Sequence, residues 1–334
     1  MKISASIYSD KKRPLKDVIS DLVSHQVDLL HIDCNDDLSV FEDIALIREW
    51  CSLPIDLHII TENPSKYYDL LEKNPVEYLT FQYEDLKEKL TLPSVLTAKK
   101  GLAIVTPTHI DVFDEFQDFD FILFMATVPG QSGGKFDPIN FKKIRDFQKK
   151  YPSKSIHVDG GVNGEVSFIL RTMGVSSSVS GSYLFNEPSI GQALMNLTKR
   201  SLESHFQIKD FMIPISETPV IDETNISLKS VLECIEKGRL GFCLVIDQHR
   251  KYKGLISNAD VRKILIHEFD HLPNINLTGL INSNAVGLNE NNTVNEMLQL
   301  IKNKPFPITY LPVWDDENNA VGIITFVNLI RGEL

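Results

Sequence analysis

The sequence lacks the features that would place the chain in a membrane, outside the cell or on a nucleic acid. No apolar run reaches about 18 residues, the length of a membrane-spanning helix, and the first residues show no signal-peptide pattern. The four cysteines form no C-x-x-C pair, and the formal net charge of −11 disfavours a nucleic-acid scaffold. We therefore expect a protein of the reducing cytoplasm that binds neither membrane nor nucleic acid.

The 334 residues are enough for two domains, and the sequence pattern changes near residue 205. Residues 1–205 alternate short apolar runs with amphipathic runs, which is typical of β–α units. Such units fit a (β/α)₈ TIM barrel. A doubly wound sheet is the alternative, but it would need phosphate-binding glycines after the first strand, and residues 4–10 contain none. The predicted strands are residues 3–7, 29–33, 55–60, 78–81, 102–105, 121–125, 156–158 and 178–181.

The sequence pattern of residues 206–334 predicts a smaller α+β module built by internal duplication. Two repeats, at about residues 210–268 and 276–334, each have the pattern helix, β pair, helix. Residues 244–247 correspond to residues 311–315, and residues 254–257 correspond to residues 322–325. We therefore expect two similar halves that share one fold.

Two histidines and two aspartates lie at predicted strand ends. His31 and Asp33 are two residues apart, so they face the same way on a strand, and His58 lies in the next strand. Asp159 follows the seventh strand and precedes two glycines. A single strand histidine is more often a hydrogen-bonded core residue, but four such groups at three strand ends are harder to explain as packing. This set suits a divalent metal such as Zn²⁺, Fe²⁺, Mn²⁺ or Co²⁺.

Glycine-containing loops follow the sixth, seventh and eighth predicted strands. Backbone N–H groups in such loops can bind a phosphate, and barrels commonly bind phosphate after strands seven and eight. Each glycine run alone is weak evidence, because most glycine runs are ordinary turns. The residues concerned are Gly130, Gly133, Gly134, Gly160, Gly161, Gly181 and Ser182.

Residues 1–200 resemble the ribulose-phosphate 3-epimerase family of (β/α)₈ barrels. The resemblance rests on Ser6-Ile7, His31-Ile32-Asp33, Asp56-Leu57-His58, Met125, Pro129-Gly130, Gly133-Gly134, Val158-Asp159-Gly160-Gly161 and Gly181-Ser182. It implies that the two aspartates are the acid and the base. The resemblance implies a metal site formed by His31, Asp33, His58 and Asp159. It also implies a sugar-phosphate site formed by Ser6, His58, Met125 and the glycines and serine named above.

Epimerisation at carbon 3 of a ketose needs a base on one face of the sugar and an acid on the other. Asp33 and Asp159, on strands two and seven, could flank the sugar in this way. One carboxyl group must be ionised while the other is protonated, so we expect their titrations to be coupled. A metal that holds the substrate oxygens would stabilise the enediolate.

Two positions depart from the family pattern and leave the sugar open. The family usually has methionine where this chain has Asn35 and Ile60, so only Met125 remains of three pocket methionines. The leading hypothesis is metal-dependent epimerisation of D-ribulose 5-phosphate to D-xylulose 5-phosphate. The alternatives are a 3-epimerase of a different ketose phosphate in a surface-polysaccharide pathway, or a non-catalytic sugar-phosphate sensor.

Residues 206–334 resemble a tandem pair of cystathionine-β-synthase (CBS) domains, which often bind adenine nucleotides. The family motif is Ser/Thr-x-x-Asp, in which the hydroxyl meets a phosphate and the acid meets ribose. Ser257 and Asp260 match the motif, whereas the second repeat has Thr325 followed by Asn328 in place of the acid. The resemblance implies one competent ribose site. The alternative is a structural or dimerising pair that binds no nucleotide, and in either case we expect a homo-oligomer.

Overall fold

The computed structural model describes residues 1–127, 134–198, 205–270, 275–277 and 279–327. The chain divides near residue 200 into two compact units, which we call the first and second units. Each unit is described by itself below. No helix among the described residues has the length and apolar character needed to cross a membrane.

Eight parallel strands of the first unit form a closed barrel in chain order, with β1 paired to β8. This closure confirms the predicted (β/α)₈ class and excludes the doubly wound sheet, because an open sheet would leave β1 and β8 unpaired with each other. Each predicted strand overlaps an observed one. The strands are β1 Lys2–Ser6, β2 Leu29–Asn35, β3 Ile55–Ile60, β4 Tyr78–Gln82, β5 Lys99–Val105, β6 Phe121–Met125, β7 Ser155–Asp159 and β8 Ser177–Ser180.

Helices connect most of the barrel strands and bury their apolar stripes against the sheet. The connections from β4 to β5 and from β5 to β6 are exceptions, since their described residues form only short 3₁₀ segments, Tyr83–Asp85 and Ile110–Phe116. The helices are α1 Leu15–Ser24, α2 Val40–Trp50, α3 Tyr68–Lys73, α4 Ile139–Lys150, α5 Gly164–Thr172, α6 Ser182–Asn186 and α7 Ile190–Thr198.

Side chains alternate between the barrel interior and the surrounding helices along each strand. The register pairs His31 with Asp56 and Asp33 with His58 across β2 and β3, so these four residues face the interior together. Nearer the amino ends of the strands, the rings of Phe121 and His157 stack with their centroids 4.1 Å apart. This aromatic packing fills the interior below the polar residues.

The turn after β7 requires glycine for steric reasons. Gly160 has φ +110° and Gly161 has φ +67°, which are conformations that other residues rarely adopt. A Cβ atom on Gly161 would lie only 2.1 Å from the backbone nitrogen of Phe136, and one on Gly160 would lie 2.6 Å from Oγ1 of Thr127. The segment before α4 therefore lies directly against the loop that follows Asp159.

The second unit consists of two similar β–α halves, as the sequence repeats predict. A three-stranded sheet has the order β10-β11-β12, and a four-stranded sheet has the order β13-β14-β15-β9. The hairpins match in detail: Val245 pairs with Gly254 and Val313 with Gly322, and each hairpin has a register shift immediately after that pair. The strands are β9 Ile213–Pro214, β10 Val220–Asp222, β11 Phe242–Ile246, β12 Tyr252–Ser257, β13 Leu288–Asn289, β14 Tyr310–Trp314 and β15 Ala320–Thr325.

The described helices of the second unit begin at well-formed caps. Ser227, Ser257 and Thr293 each accept a hydrogen bond from the backbone of the third helical residue, which stabilises the first turn. The helices are α8 Ile208–Phe211, α9 Leu228–Gly238, α10 Asn258–His267 and α11 Val294–Lys302. The second helix predicted for the repeat at residues 276–334 falls mainly outside the described residues.

The packing of the barrel interior predicts that Gly101→Ala destabilises the protein. The added methyl carbon would lie 2.3 Å from ring carbons of Phe121, and that ring is confined because it stacks on His157. We expect the free energy of unfolding to fall by about 1–3 kcal/mol, measured by urea denaturation. In a double-mutant cycle with Phe121→Leu, the combined loss should be smaller than the sum of the single losses. Additive losses would contradict this packing argument.

Candidate active site

Three of the predicted metal-binding side chains meet at the carboxyl ends of β2 and β3. Nε2 of His31 lies 3.2 Å from Oδ1 of Asp33, and Nδ1 of His58 lies 3.5 Å from the same oxygen. One ligand atom from each of the three residues lies within 4.8 Å of the other two. Parallel pairing of adjacent strands produces this cluster, because residues 33 and 58 are register partners.

Asp159 joins the same cluster from the far side of the barrel. It is the last residue of β7, and its Oδ2 lies 3.8 Å from Nε2 of His31. The strands β8 and β1 separate β7 from β2, so only barrel closure brings the two aspartates to one nitrogen. The side chains of Asp33 and Asp159 are 32% and 20% exposed, so both carboxylates can reach a bound substrate.

The four residues fit a divalent cation. Nδ1 of His58 is buried and has no hydrogen-bond partner among the described residues, which is costly for a polar atom unless it binds a ligand. Two imidazole nitrogens and two carboxylates form the donor set that Zn²⁺ and related transition metals prefer. The cluster therefore has both the chemistry and the unsatisfied atom expected of a metal site.

The ring of His31 is held from behind by the buried carboxylate of Asp56, to which the sequence analysis assigned no role. Its Nδ1 lies 3.0 Å from Oδ2 of Asp56, which also accepts a hydrogen bond of 2.8 Å from Oγ of Ser4. All three residues are at most 2% exposed. Asp56 is two residues before His58 on β3, so the alternation of the strand was a signal that could have identified it as an interior residue.

The two candidate acid–base carboxyl groups have different proton affinities. Burial would raise the pKa of Asp33, but the charge of His31 and its hydrogen bond to this carboxylate outweigh burial and lower that pKa well below the ordinary range. Burial raises the pKa of Asp159 to about 6, although the charge of His31 opposes the rise. Asp159 is therefore the carboxyl group that more readily carries a proton.

The predicted substrate residues that the structure describes lie at or just after the carboxyl ends of the barrel strands. Ser6 ends β1, and Met125 ends β6 as the register partner of Asp159. Gly181 precedes α6 and has no room for a side chain, since a Cβ atom would lie 2.2 Å from Oγ of Ser9. Ser182 is the first residue of α6, Gly134 lies against Thr127, and Gly130 and Gly133 lie outside the described residues.

Asn35 and Ile60 occupy the mouth of the barrel. They are register partners at the ends of β2 and β3, one interior position beyond Asp33 and His58. Asn35 is exposed and Ile60 is half-buried. The exposed amide thus lies next to the cluster, at the positions where the sequence departs from the epimerase pattern.

A model of the ribulose-phosphate 3-epimerase family matches residues 2–185, which is more than half of the chain. The chain belongs to the ribulose-phosphate 3-epimerase family. It is 30% identical over 227 residues to ribulose-phosphate 3-epimerase of Methanocaldococcus jannaschii, covering 64% of this chain and 95% of that protein. It is 26% identical over 212 residues to the Bacillus subtilis enzyme of the same name, covering 59% and 98%. This epimerase-family protein is accordingly an isomerase, which sets aside the non-catalytic alternative.

A second family model, that of the CBS domain, matches residues 277–333. This match and the duplicated fold confirm the predicted barrel followed by a CBS module. Among solved structures similar to this part is the CBS-pair protein CBSX2 from Arabidopsis thaliana, at 20% identity and a TM-score of 0.32, covering 38% of this chain and 94% of that chain. The matches to the two curated epimerases cover 95% and 98% of those proteins but only 64% and 59% of this chain. The CBS module is thus additional to the epimerase-family barrel.

The candidate nucleotide residues of the CBS module lie at the start of α10 and the end of β15. Oγ of Ser257 donates a hydrogen bond of 2.6 Å to Oδ2 of Asp260, and the backbone nitrogen of Ser257 donates another of 3.0 Å. The pair therefore forms a capping box. Thr325 ends β15 and is the register partner of Tyr310, whereas Asn328 lies outside the described residues.

The geometry of the cluster predicts that the protein binds about one divalent cation per chain. His31→Ala and His58→Ala each remove one nitrogen ligand, so the purified variants should retain much less metal than wild type by elemental analysis. His109→Ala is the matched control, because this histidine side chain is 76% exposed and belongs to another part of the barrel. Equal metal contents in wild type, His31→Ala and His58→Ala would contradict the assignment.

Proposed function

We propose that the first unit inverts carbon 3 of a ketose 5-phosphate, with D-ribulose 5-phosphate and D-xylulose 5-phosphate as the interconverted pair. Membership of the ribulose-phosphate 3-epimerase family supports this reaction. The observation that carries the proposal is the placement of two partly exposed carboxylates, from β2 and β7, within 3.8 Å of one histidine nitrogen. Two acid–base groups on separate strands can act on two faces of one substrate carbon.

Proton transfer by the two aspartates accounts for the inversion. One carboxylate removes the proton from carbon 3, and the electron pair left on carbon is delocalised toward the carbonyl oxygen at carbon 2. The other carboxyl group, on the opposite face, donates its proton to carbon 3 and restores the carbonyl. The aspartates exchange protonation states in the process, so the same pair serves the reverse reaction.

His31, Asp33, His58 and Asp159 would hold a divalent cation at this point. When bound, such a cation supplies positive charge against the negative charge that develops on the substrate oxygens. Asp56 and Ser4 keep the ring of His31 in place, and the buried rings of Phe121 and His157 exclude water from below. Backbone N–H groups near Gly160, Gly161, Gly181 and Ser182 would bind the 5-phosphate.

A second candidate substrate is a ketose phosphate of different length or stereochemistry. The exposed amide of Asn35 at the barrel mouth favours it, because an amide can exchange hydrogen bonds with a sugar hydroxyl group. Assays of several ketose phosphates with wild type and Asn35→Met separate the candidates. A change in the relative kcat/KM among the sugars would assign Asn35 to substrate selection.

For the second unit we propose an adenine-nucleotide site that uses Ser257, Asp260 and Thr325. The CBS-domain match and the Ser-x-x-Asp motif at the start of α10 support this site.

We further propose that the two domains divide between residues 205 and 206 and that the protein forms a homo-oligomer. A cytoplasmic setting is part of the proposal, and the four free cysteines are compatible with it.

The two-aspartate mechanism predicts deuterium incorporation and a large loss of turnover in single variants. In D₂O, wild type should give epimerised product with solvent deuterium at carbon 3. Asp33→Asn and Asp159→Asn should each lower kcat by about 10²- to 10⁴-fold, because each removes one acid–base group. Metal content must be measured beside the rate, since each aspartate is also a proposed ligand. A variant that keeps its metal and near-normal epimerisation would overturn the mechanism.

The nucleotide site predicts that full-length protein binds AMP, ADP or ATP and that Asp260→Ala weakens the binding. Calorimetric titration measures both. Glu296→Ala is the matched control, because Thr293 and Glu296 form the same capping box on α11 without belonging to the motif. Both variants lose one helix cap, but only Asp260→Ala should lose nucleotide affinity. No heat with any of the three nucleotides would leave the module without the proposed ligand.

A further inference from the structure

The second nitrogen of the His58 ring has a buried partner that the proposed function does not use. Nε2 of His58 lies 3.0 Å from Oε1 of Gln82, the last residue of β4. His58 is 0% exposed and Gln82 is 1% exposed, so water does not compete for this hydrogen bond. The direction of the bond decides which nitrogen of the ring carries the proton.

The orientation of the Gln82 amide is determined by groups that can only accept hydrogen bonds. Its Nε2 donates to a carboxylate oxygen of Glu84 and lies 3.5 Å from the carbonyl oxygen of Ala103. Glu84 is held in turn, since its Oε1 accepts a hydrogen bond of 3.0 Å from the backbone nitrogen of Val105 and another from the hydroxyl group of Thr108. An amide with its NH₂ group toward two acceptors must present its oxygen to His58.

Because Oε1 of Gln82 can only accept, Nε2 of His58 must donate and therefore carries the proton. The lone pair is then on Nδ1, the buried atom that has no hydrogen-bond partner in the described part of the chain and lies 3.5 Å from Oδ1 of Asp33. A proton on Nδ1 would instead place an N–H group where a cation ligand is required. The two histidines thus present different atoms, since Asp56 contacts Nδ1 of His31 and leaves its Nε2 toward Asp33.

We propose that Gln82, oriented by Glu84, is a positioning residue that fixes His58 in the Nε2–H tautomer and makes Nδ1 the cation ligand. This inference rests on the cation site of the proposed function. Gln82 contacts the ring of His58 on the side away from the proposed cation, and Glu84 contacts Gln82, so both act through His58. Hydrogen bonds behind ligating histidines commonly change metal affinity by about 10- to 100-fold.

The tautomer of His58 can be observed directly in the full-length protein. With ¹⁵N-labelled histidine at pH 8, long-range ¹H–¹⁵N correlation of metal-free wild type should show His58 protonated at Nε2. Gln82→Leu removes the acceptor at similar size, so His58 should lose this preference and the Kd for Zn²⁺ should rise by about 10- to 100-fold. Thr80→Val is the matched control, because its hydroxyl group is buried on the same strand and has no hydrogen-bond partner among the described residues.

A swapped pair separates the hydrogen-bond relay from a general effect on folding. In the double variant Gln82→Glu with Glu84→Gln, the carboxylate at residue 82 can accept hydrogen bonds from His58 and from the amide NH₂ group at residue 84. The amide oxygen at residue 84 can still accept hydrogen bonds from Val105 and Thr108. This double variant should recover the Nε2–H tautomer and most of the Zn²⁺ affinity. Gln82→Glu alone places two carboxylates side by side, and their repulsion should move the side chain at residue 82 away from His58, so neither property should be fully recovered. If Gln82→Leu does not fold, the comparison of the double variant with Gln82→Glu alone still tests the relay.

Two outcomes would overturn the inference alone: His58 protonated at Nδ1 in wild type, or wild-type tautomer and Zn²⁺ affinity in Gln82→Leu. Failure of the swapped pair to recover either property would overturn the role of Glu84. A wild type that binds no Zn²⁺ would overturn the proposed cation site itself and the inference with it. The comparison between wild type and Gln82→Leu therefore distinguishes a wrong positioning residue from a wrong cation site.

Discussion

Asp33 and His58 face each other across the hydrogen-bonded strands β2 and β3, and the other groups of the proposed site are arranged around this pair. The register places one carboxylate oxygen within 3.5 Å of nitrogens from two histidines. A shift of either strand by one residue would turn its own site residue out of the barrel, because side chains alternate along a strand. The preceding residues on the two strands, Ile32 and Leu57, are fully buried on the helix-facing side and resist such a shift.

The cost of burying charge explains why this pair needs so many neighbours. Three aspartates and two histidines lie in the upper interior of the barrel, where an unpaired polar atom is expensive. Asp56 and Ser4 satisfy one side of His31, and Gln82 satisfies one side of His58. The opposite sides of both rings remain directed at Asp33. The hydrogen bonds behind the site thus determine which atoms are available in front of it.

In the CBS module, the residues of the proposed nucleotide motif also form a helix cap. Ser257 and Asp260 match the nucleotide motif, and the same two side chains close the first turn of α10. Thr293 and Glu296 form an equivalent cap on α11 outside the motif. A capping box is therefore not by itself a sign of nucleotide binding. What distinguishes the Ser257 motif is its position, since it begins at the last residue of β12 in a duplicated hairpin.

The sequence by itself determined the class of fold and the residue types of the site. Periodicity located the barrel strands and the duplicated hairpins, because apolar alternation depends only on which side chains a local element must bury. His31, Asp33, His58 and Asp159 were recognisable from their positions near strand ends. Tertiary structure alone decided that Asp159 meets His31 and that Asp56 and Gln82 lie behind the histidines. Those contacts join residues 24 to 128 positions apart, and their distances follow from barrel closure and strand register, which no local pattern encodes.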